Sequence, residues 1–553
     1  MQGEEIIMKS NSYKLILLIL AIFILPSLCQ AQLWPHIKTF GFDYGFPRDT
    51  SELQWLATHH DVVIGAGDWQ TKKMTEEQFD TLKAANPNVI IVPYVVIQAF
   101  TFPPMKDFMT AWATTNGYKE EDLYLHYYAD TIVKTRTKVT KTSNTGTPSD
   151  RVCDINGTLL ADGMTSNFYI SLGYGGGTAK TIEEARIYQY WNAGFEPRMN
   201  HLSKAWKETY KAYILDVLTS GPNKYCDGVM LDTYQGVFDN EGYLPNMNTL
   251  IEVRNAGYGA DDTVARTWYS EQIALYVGVL REFLKTATGK PKIHIIPNFG
   301  ELSYTYDNYK FGCEDQFATN KIDAGTIEYT HSPSKSYYFT KDYFKKHYEV
   351  MEAGPVSFYN HLDSAWYQWG GTPPIGGKQF MIGALYLFNH PSAYFAIHYG
   401  SSAKYGPEPT FAISHWDKMM EYDIGTPMVN TEEDFWGVKN TNRVYLVEHE
   451  EPGLWNSLLG RNDPRGRFVL ARDYTKALVI VRFERSNNNT AEELGTEPRT
   501  YALGGNFHRL LEDNTLGPLI STITLGLAEG AILIRDISGL PAPKWQRVTV
   551  IKN

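Results

Sequence analysis

Short apolar runs closed by turn residues alternate with stretches of helical spacing along residues 37–425. The runs at 39–45, 61–67, 89–97, 227–234, 292–297, 325–329, 355–359 and 392–399 predict strands buried on both faces. The stretches at 51–58, 75–85, 203–218, 263–286, 335–351, 378–388 and 410–422 predict helices. Thr75, followed by Glu76 and Glu77, supplies a cap and an acidic first turn for one helix, and Asp261-Asp262 reads as the cap of another. Alternation of strand and helix with short connections specifies parallel βαβ units. Eight such strands predict an α/β fold, a (β/α)8 TIM barrel over 32–425.

The rhythm breaks at about 98–200. That insertion holds a helical pattern at 107–116, a Thr/Lys/Ser-rich stretch at 134–149 expected as a mobile hairpin or loop, and a glycine-rich loop at 173–177. No Lys-Ser/Thr follows those glycines and no G-x-G-x-x-G spacing fits, so they predict no phosphate cradle. An insertion on a βα connection lies on the face where barrels keep their chemistry, so this one is expected to shape a cleft. From Pro427 the pattern changes. Strand-like runs at 444–447, 467–471, 477–483, 500–503, 508–511, 522–525 and 531–534 follow one another without a helix, which predicts a C-terminal all-β sandwich over 426–553.

The N-terminus reads as an address. Lys9 and Lys14 precede an apolar run at 15–25, then Pro26 and the triplet Cys29-Gln30-Ala31. This is the layout of a signal peptide over 1–31, too short to span a bilayer comfortably, and it predicts export to the periplasm or the medium. Leu28 stands where a lipoprotein signal has a small residue, which disfavours a lipid anchor. No later run reads as transmembrane. Cys153, Cys226 and Cys313 remain after cleavage, an odd number outside any CxxC or Cys/His metal spacing, and are expected as buried thiols.

A net charge of −11 argues against nucleic acid as a partner, because phosphate binding needs a basic face. The 37 Tyr and 13 Trp suit stacking on sugar rings as well as core packing. No H-E-x-x-H is present, His59 and His60 are adjacent rather than on one helix face, and no G-x-S-x-G elbow occurs. The expected chemistry therefore uses no metal and no cofactor.

What stands out instead is acids at strand ends: Asp43 on the first strand, Asp232 on the fourth, Glu328 on the sixth, with Glu301 just past the fifth. In a barrel these positions converge on one rim. Side chains alternate along a strand, so Asp232 shares a face with Met230, while Val229 and Leu231 share the other. Glycosidic cleavage needs two carboxyls, one protonated for the leaving oxygen and one ionised as nucleophile or base. We expect Asp232 as the ionised group and Glu328 as the acid, with Glu301 as the alternative partner. Asp43, Tyr94, Asn298 and His398 are expected to bind substrate or orient a carboxylate, and Trp366 and Trp369 to form a platform for a sugar ring.

The segments Gly41-Phe42-Asp43-Tyr44, Asp61-Val62-Val63-Ile64, Ala85-Asn86-Pro87-Asn88-Val89 with Pro93-Tyr94, and Asp227-Gly228-Val229-Met230-Leu231-Asp232 resemble glycoside hydrolase barrels, in particular the hypothetical glycosyl hydrolase group numbered fifteen. A looser similarity runs to the endo-α-1,4-polygalactosaminidase-like family, which shares the Asp-Gly-Val-x-Leu-Asp strand. Arg472-Asp473-Tyr474, Ala477–Val481 and Gly530-Ala531-Ile532-Leu533 are similar to the β domain that follows such barrels. The resemblance implies a glycosidase acting on a poly- or oligosaccharide, with Asp232 as a catalytic residue; Glu328 rests on the strand-end argument alone. A glycan-binding barrel without catalysis, or a lyase or transglycosylase on the same acids, is the competing expectation.

Overall fold

The structure is a computed structural model. It describes residues 36–42, 49–64, 74–97, 103–126, 137–139, 151–153, 159–161, 188–191, 194–232, 250–258, 260–290, 292–301, 326–328, 356–362, 377–390, 393–399, 414–428, 444–450, 455–456, 461–462, 467–483, 498–526, 529–536 and 548–551. The chain enters through β1 (Phe40–Phe42), α1 (Thr50–His59), β2 (Val62–Ile64), α2 (Glu76–Ala85), β3 (Ile90–Val92), β4 (Tyr94–Val96) and α3 (Pro103–Thr115). Both α1 and α2 start on reciprocal capping boxes, Asp49 with Glu52 and Thr75 with Gln78, which satisfy orphan N–H groups of the first turn. β3 and β4 are one strand interrupted at Pro93. Proline has no N–H for a ladder, and there the strand changes partner.

The excursion that follows carries strands of its own. Five short strands, β5 (Thr137–Val139), β6 (Arg151–Cys153), β7 (Leu159–Ala161), β8 (Tyr188–Trp191) and β9 (Gly194–Pro197), pair antiparallel in the order β5-β7-β6-β8-β9. The hairpin or loop expected at 134–149 contains β5; 173–177 lies outside the described residues. The barrel rhythm resumes with α4 (Lys204–Thr219), capped by Ser203, then β10 (Gly228–Asp232), α5 (Ile251–Asn255), α6 (Asp262–Thr288), capped by Asp261, β11 (His294–Glu301), β12 (Thr326–Glu328), β13 (Val356–Leu362), α7 (Gly377–Leu387), β14 (Ala393–Tyr399) and β15 (Ser414–His415). The expected helix at 335–351 lies outside the described residues. The expected helix at 410–422 is corrected: 414–415 form β15, antiparallel to β14, and Asp417 then caps a short 3-10 turn at Lys418–Glu421 by accepting from the Met419 N–H. A side chain that bonds its own following backbone competes with helix continuation.

Parallel pairing runs β1-β2-β3, then β4-β10-β11-β12-β13-β14. A parallel bridge between Thr39 and Phe395 joins the last strand back to the first. The sheet therefore returns on itself and has an inside. Phe40, Val62, Ile64, Val92, Tyr94, Val96, Met230, Ile296 and Ala396 pack together within it. The alternate residues Val63, Ile91, Val95, Val229, Leu231, Ile295 and Phe395 belong to the larger core shared with the helices. Alternation persists across Pro93, since Val92, Tyr94 and Val96 all face the inner cluster.

Beyond residue 425 the chain forms β16 (Val444–Glu450), β17 (Trp455–Asn456), β18 (Arg461–Asn462), β19 (Arg467–Asp473), β20 (Ala477–Phe483), β21 (Arg499–Leu510), β22 (Leu516–Leu525), β23 (Gly530–Arg535) and β24 (Thr549–Val550). The main path is antiparallel, in the order β16-β19-β20-β23-β21-β22, with β24 on β21. The runs at 500–503 and 508–511 prove to be one strand. The Gly504-Gly505-Asn506 stretch between them is a register shift, not a turn, and Gly504 takes a φ of 69° there. Where two sheets of a sandwich are expected, the described strands thus follow one main hydrogen-bonded path. One of its faces encloses a separate apolar cluster that includes Tyr445, Ile480, Tyr501, Phe507, Ile523 and Leu533. The other face carries Val479, Val481 and Ile532 into the large core with Phe380 and Ala384 of α7. Contact is close enough that a Cβ on Gly530 would stand 2.7 Å from the Gln379 carbonyl oxygen. Buried Arg472 donates to the carbonyls of Tyr386, Leu387 and Asn389, which end α7.

Candidate active site

β10 is apolar apart from its last residue and is buried along its whole length. Gly228 opens it because β11 passes too close for a side chain: a Cβ there would lie 1.9 Å from the His294 carbonyl oxygen. Asp232 closes it on the same face as Met230, inside the ring, and is 6% exposed. A carboxylate at that depth requires donors.

The two flanking strands supply them. On β4, Tyr94 stands opposite Met230, one layer below Asp232, and its phenol reaches up to donate to Asp232 Oδ2. On β11, Leu231 is opposite Pro297, so Asn298 lies level with Asp232 and its Nδ2 donates to Oδ1 at 2.7 Å. Both donors are buried, Tyr94 at 6% and Asn298 at 4% exposure. Each carboxylate oxygen thus has a neutral partner, and hydrogen bonds to the ionised form of a carboxyl favour that form. An ionised carboxylate held this way can act as a nucleophile or a base.

Of the other residues singled out in the sequence, Glu301 and Glu328 are register partners at the ends of β11 and β12, beyond the Asn298–Thr326 pair. His398 lies on β14, two residues past the inner-cluster residue Ala396, opposite His361 on β13 and Ser414 on β15. Asp43, Trp366 and Trp369 lie outside the described residues. Asp232, Tyr94 and Asn298 are therefore brought together, and Glu301 and Glu328 stand beside each other on neighbouring strands.

Two histidines that the sequence did not single out tie this end of the sheet to its surroundings. His126 lies between carboxylates, with Nδ1 2.6 Å from Glu252 Oε1 and Nε2 2.8 Å from Glu121 Oε1. Burial disfavours its charge, but the two carboxylates outweigh burial and push its pKa up to about 9. It clamps the excursion after β4 to α5, which follows β10. His201 is the reverse case, fully buried and held down to about 3 mainly by that burial. Neither had a local signal, because the partners lie far along the chain: Glu252 is 126 residues from His126, and Ile97, which meets His201, is 104 residues away. Among the described residues no three His, Cys, Asp or Glu side chains are grouped to hold a metal ion. Cys226, just before β10, is fully buried. No described helix is long and apolar enough to cross a membrane.

No family model matches the chain, and no curated protein does. Among solved structures it is similar to an isomaltulose synthase from Protaminobacter rubrum, at 10% identity and a TM-score of 0.43 over 90% of this chain and 98% of that one. It is similar to a noncanonic maltogenic α-amylase from Thermotoga neapolitana, at 9% identity and a TM-score of 0.37 over 90% and 98%. A glycoside hydrolase domain from Bordetella bronchiseptica matches at 10% identity and a TM-score of 0.36 over 66% and 94%. Likenesses at this level carry no argument, and the reading of the site rests on the chain's own residues.

Proposed function

We propose that this chain is a glycoside hydrolase that cleaves O-glycosidic bonds of a poly- or oligosaccharide with two carboxyl groups. The observation that carries this is Asp232, buried at the C-terminal end of a parallel strand inside the ring, with both oxygens held by the neutral donors Tyr94 and Asn298. Chemistry in parallel barrels sits at that end of the strands. In this reading Asp232 is the ionised nucleophile or base, Glu328 the acid, and Glu301 the alternative acid; Asn298 and Tyr94 hold Asp232 as well as facing the substrate. Asp43, His398, Trp366 and Trp369 are assigned to substrate binding. The ring of strands belongs to a complete (β/α)8 barrel over 32–425, the antiparallel strands beyond it to a β-sandwich domain, and residues 1–31 direct export and are removed.

The test is sugar release from starch, pullulan, galactomannan, galactan and chitosan by the purified mature chain, measured as new reducing ends. Asp232→Asn and Glu328→Gln are run beside the wild type. Both variants are expected to lose turnover while keeping affinity for the polysaccharide that the wild type cleaves. Unchanged turnover in Asp232→Asn would sink the assignment, and unchanged turnover in Glu328→Gln alone would move the acid to Glu301.

A further inference from the structure

The end of β4 is fixed by side chains from outside the sheet. Val96 is the register partner of Asp232, and the Ile97 N–H donates to the Asp232 main-chain carbonyl at 3.1 Å. The carbonyls of Val96 and Ile97 both accept from the segment that carries α4: Val96 from the Tyr210 hydroxyl at 3.3 Å, and Ile97 from His201 Nε2 at 3.0 Å. Because a carbonyl only accepts, Nε2 must carry the imidazole proton. Nδ1 is then an acceptor, and it faces the Tyr269 hydroxyl of α6 at 2.8 Å. The Trp206 indole meets the imidazole edge-on, with ring centroids 4.5 Å apart, and limits rotation of the ring. Tyr269, His201 and Ile97 are all buried.

We infer that His201 is a positioning residue for the Asp232 chemistry. It relays a fixed hydrogen-bond direction from Tyr269, through a single imidazole tautomer, to the backbone that borders Asp232 and carries Tyr94. This rests on the catalytic reading of Asp232. The imidazole moves no proton in the reaction. Its work is to hold the end of β4, so that the Tyr94 phenol and the Asp232 carboxylate keep their mutual position, and small displacements of catalytic groups are costly in rate. Because burial keeps the ring neutral, the tautomer, and with it the direction of both bonds, persists across the working pH range.

The experiment compares His201→Leu, which removes both bonds, with His201→Gln, which keeps an N–H for the Ile97 carbonyl, and with Thr209→Val. Thr209 is buried on α4, the helix that follows His201, and bonds only within it, to the Ala205 carbonyl, so it serves as a control for general destabilisation. Hydrogen exchange is followed by mass spectrometry on the full mature chain, in peptides covering 94–97 and 229–232. His201→Leu is expected to speed exchange there about tenfold, the loss of one buried hydrogen bond. His201→Gln should restore most of the protection, and Thr209→Val should leave these peptides at wild-type rates. On the polysaccharide that the wild type cleaves, His201→Leu should lower kcat with KM little changed and move the acid limb of the pH profile upward. Wild-type exchange at 94–97 and 229–232 in His201→Leu, with only a lower melting temperature, overturns the inference. Turnover that survives Asp232→Asn overturns the catalytic reading instead, so the two failures are told apart.

Discussion

The strand at the centre of the site has an aspartate at each end, and they are held in opposite ways. Asp227, just before Gly228, is ion-paired with Lys83 at 2.8 Å, and the same oxygen accepts from the Ile91 N–H at 2.9 Å. It is about a third exposed. Lys83 also donates to the Val89 carbonyl, so the pair fastens the end of α2 and the start of β3 to β10. Asp232, at the other end, is buried and held by a phenol and an amide. The lower carboxylate has its charge matched by an ammonium, and its function is exhausted by tying three elements together. The upper one accepts from two neutral dipoles, which orient it and favour its ionised form. The same residue type on the same strand is therefore structural at one end and suited to reaction at the other.

The largest effect that would test this contrast is in turnover. Asp232→Asn removes the charge and keeps the shape, and kcat should fall by about 10²–10⁴, the range for a positioned acid or base. Asp227→Asn, assayed in parallel, should leave kcat within about twofold. Equal losses in the two variants would erase the distinction.

His126 supplies the mirror image, a cation held by carboxylates, and its effect is on stability. Its pKa, about 9 in the folded chain, lies above the 6.5 of an unperturbed histidine. The stabilisation is thus fully present below pH 6.5 and is lost as pH rises through 9, and is worth about 3 kcal/mol at most. Denaturant unfolding of the wild type and His126→Gln should converge as pH rises through that window. A gap constant from pH 6 to 10 would show that the carboxylates do not hold a charged imidazole.

Next in size is Tyr94→Phe, which deletes one donor to Asp232 and keeps the ring. A hydrogen bond to a charged group is worth about 1.5–3 kcal/mol, so the acid limb of kcat/KM should move up by about 1–2 pH units. A limb that stays in place would mean that the phenol does not stabilise the anion. The smallest effect belongs to the lower end: Asp227→Asn should cost about 0.5–1 kcal/mol by denaturant unfolding, as partly exposed ion pairs do.

Much of the barrel rhythm was legible because its signals are local. The capping residues Thr75, Ser203 and Asp261 stand where their helices begin. The inward parity of Asp232, Tyr94 and Asn298 follows from alternation along three apolar strands. What misled was also local. The stretch 410–422 has helical spacing, but β14 provides an edge for Ser414 and His415, and Asp417 turns the chain at once. The runs at 500–503 and 508–511 read as two strands, although flanking strands on both sides keep the chain in one sheet and absorb Gly504 and Gly505 as a register shift. The pairing order within 137–197 was not legible because strands of three or four residues are too short to show a period and depend on their partners.

By itself the sequence determined which residues could form strands and helices, which face each strand would bury, and that several of those strands end in acids, Asp232 among them. These follow from periodicity and capping, which act over a few residues. Only the tertiary structure decided that the phenol of Tyr94 and the amide of Asn298, 138 and 66 residues from Asp232, would take its two oxygens, while a lysine took Asp227. Which donors meet a carboxylate is a matter of strand order and register, and those are fixed by burying the whole sheet at once, not by any residue's neighbours in the chain.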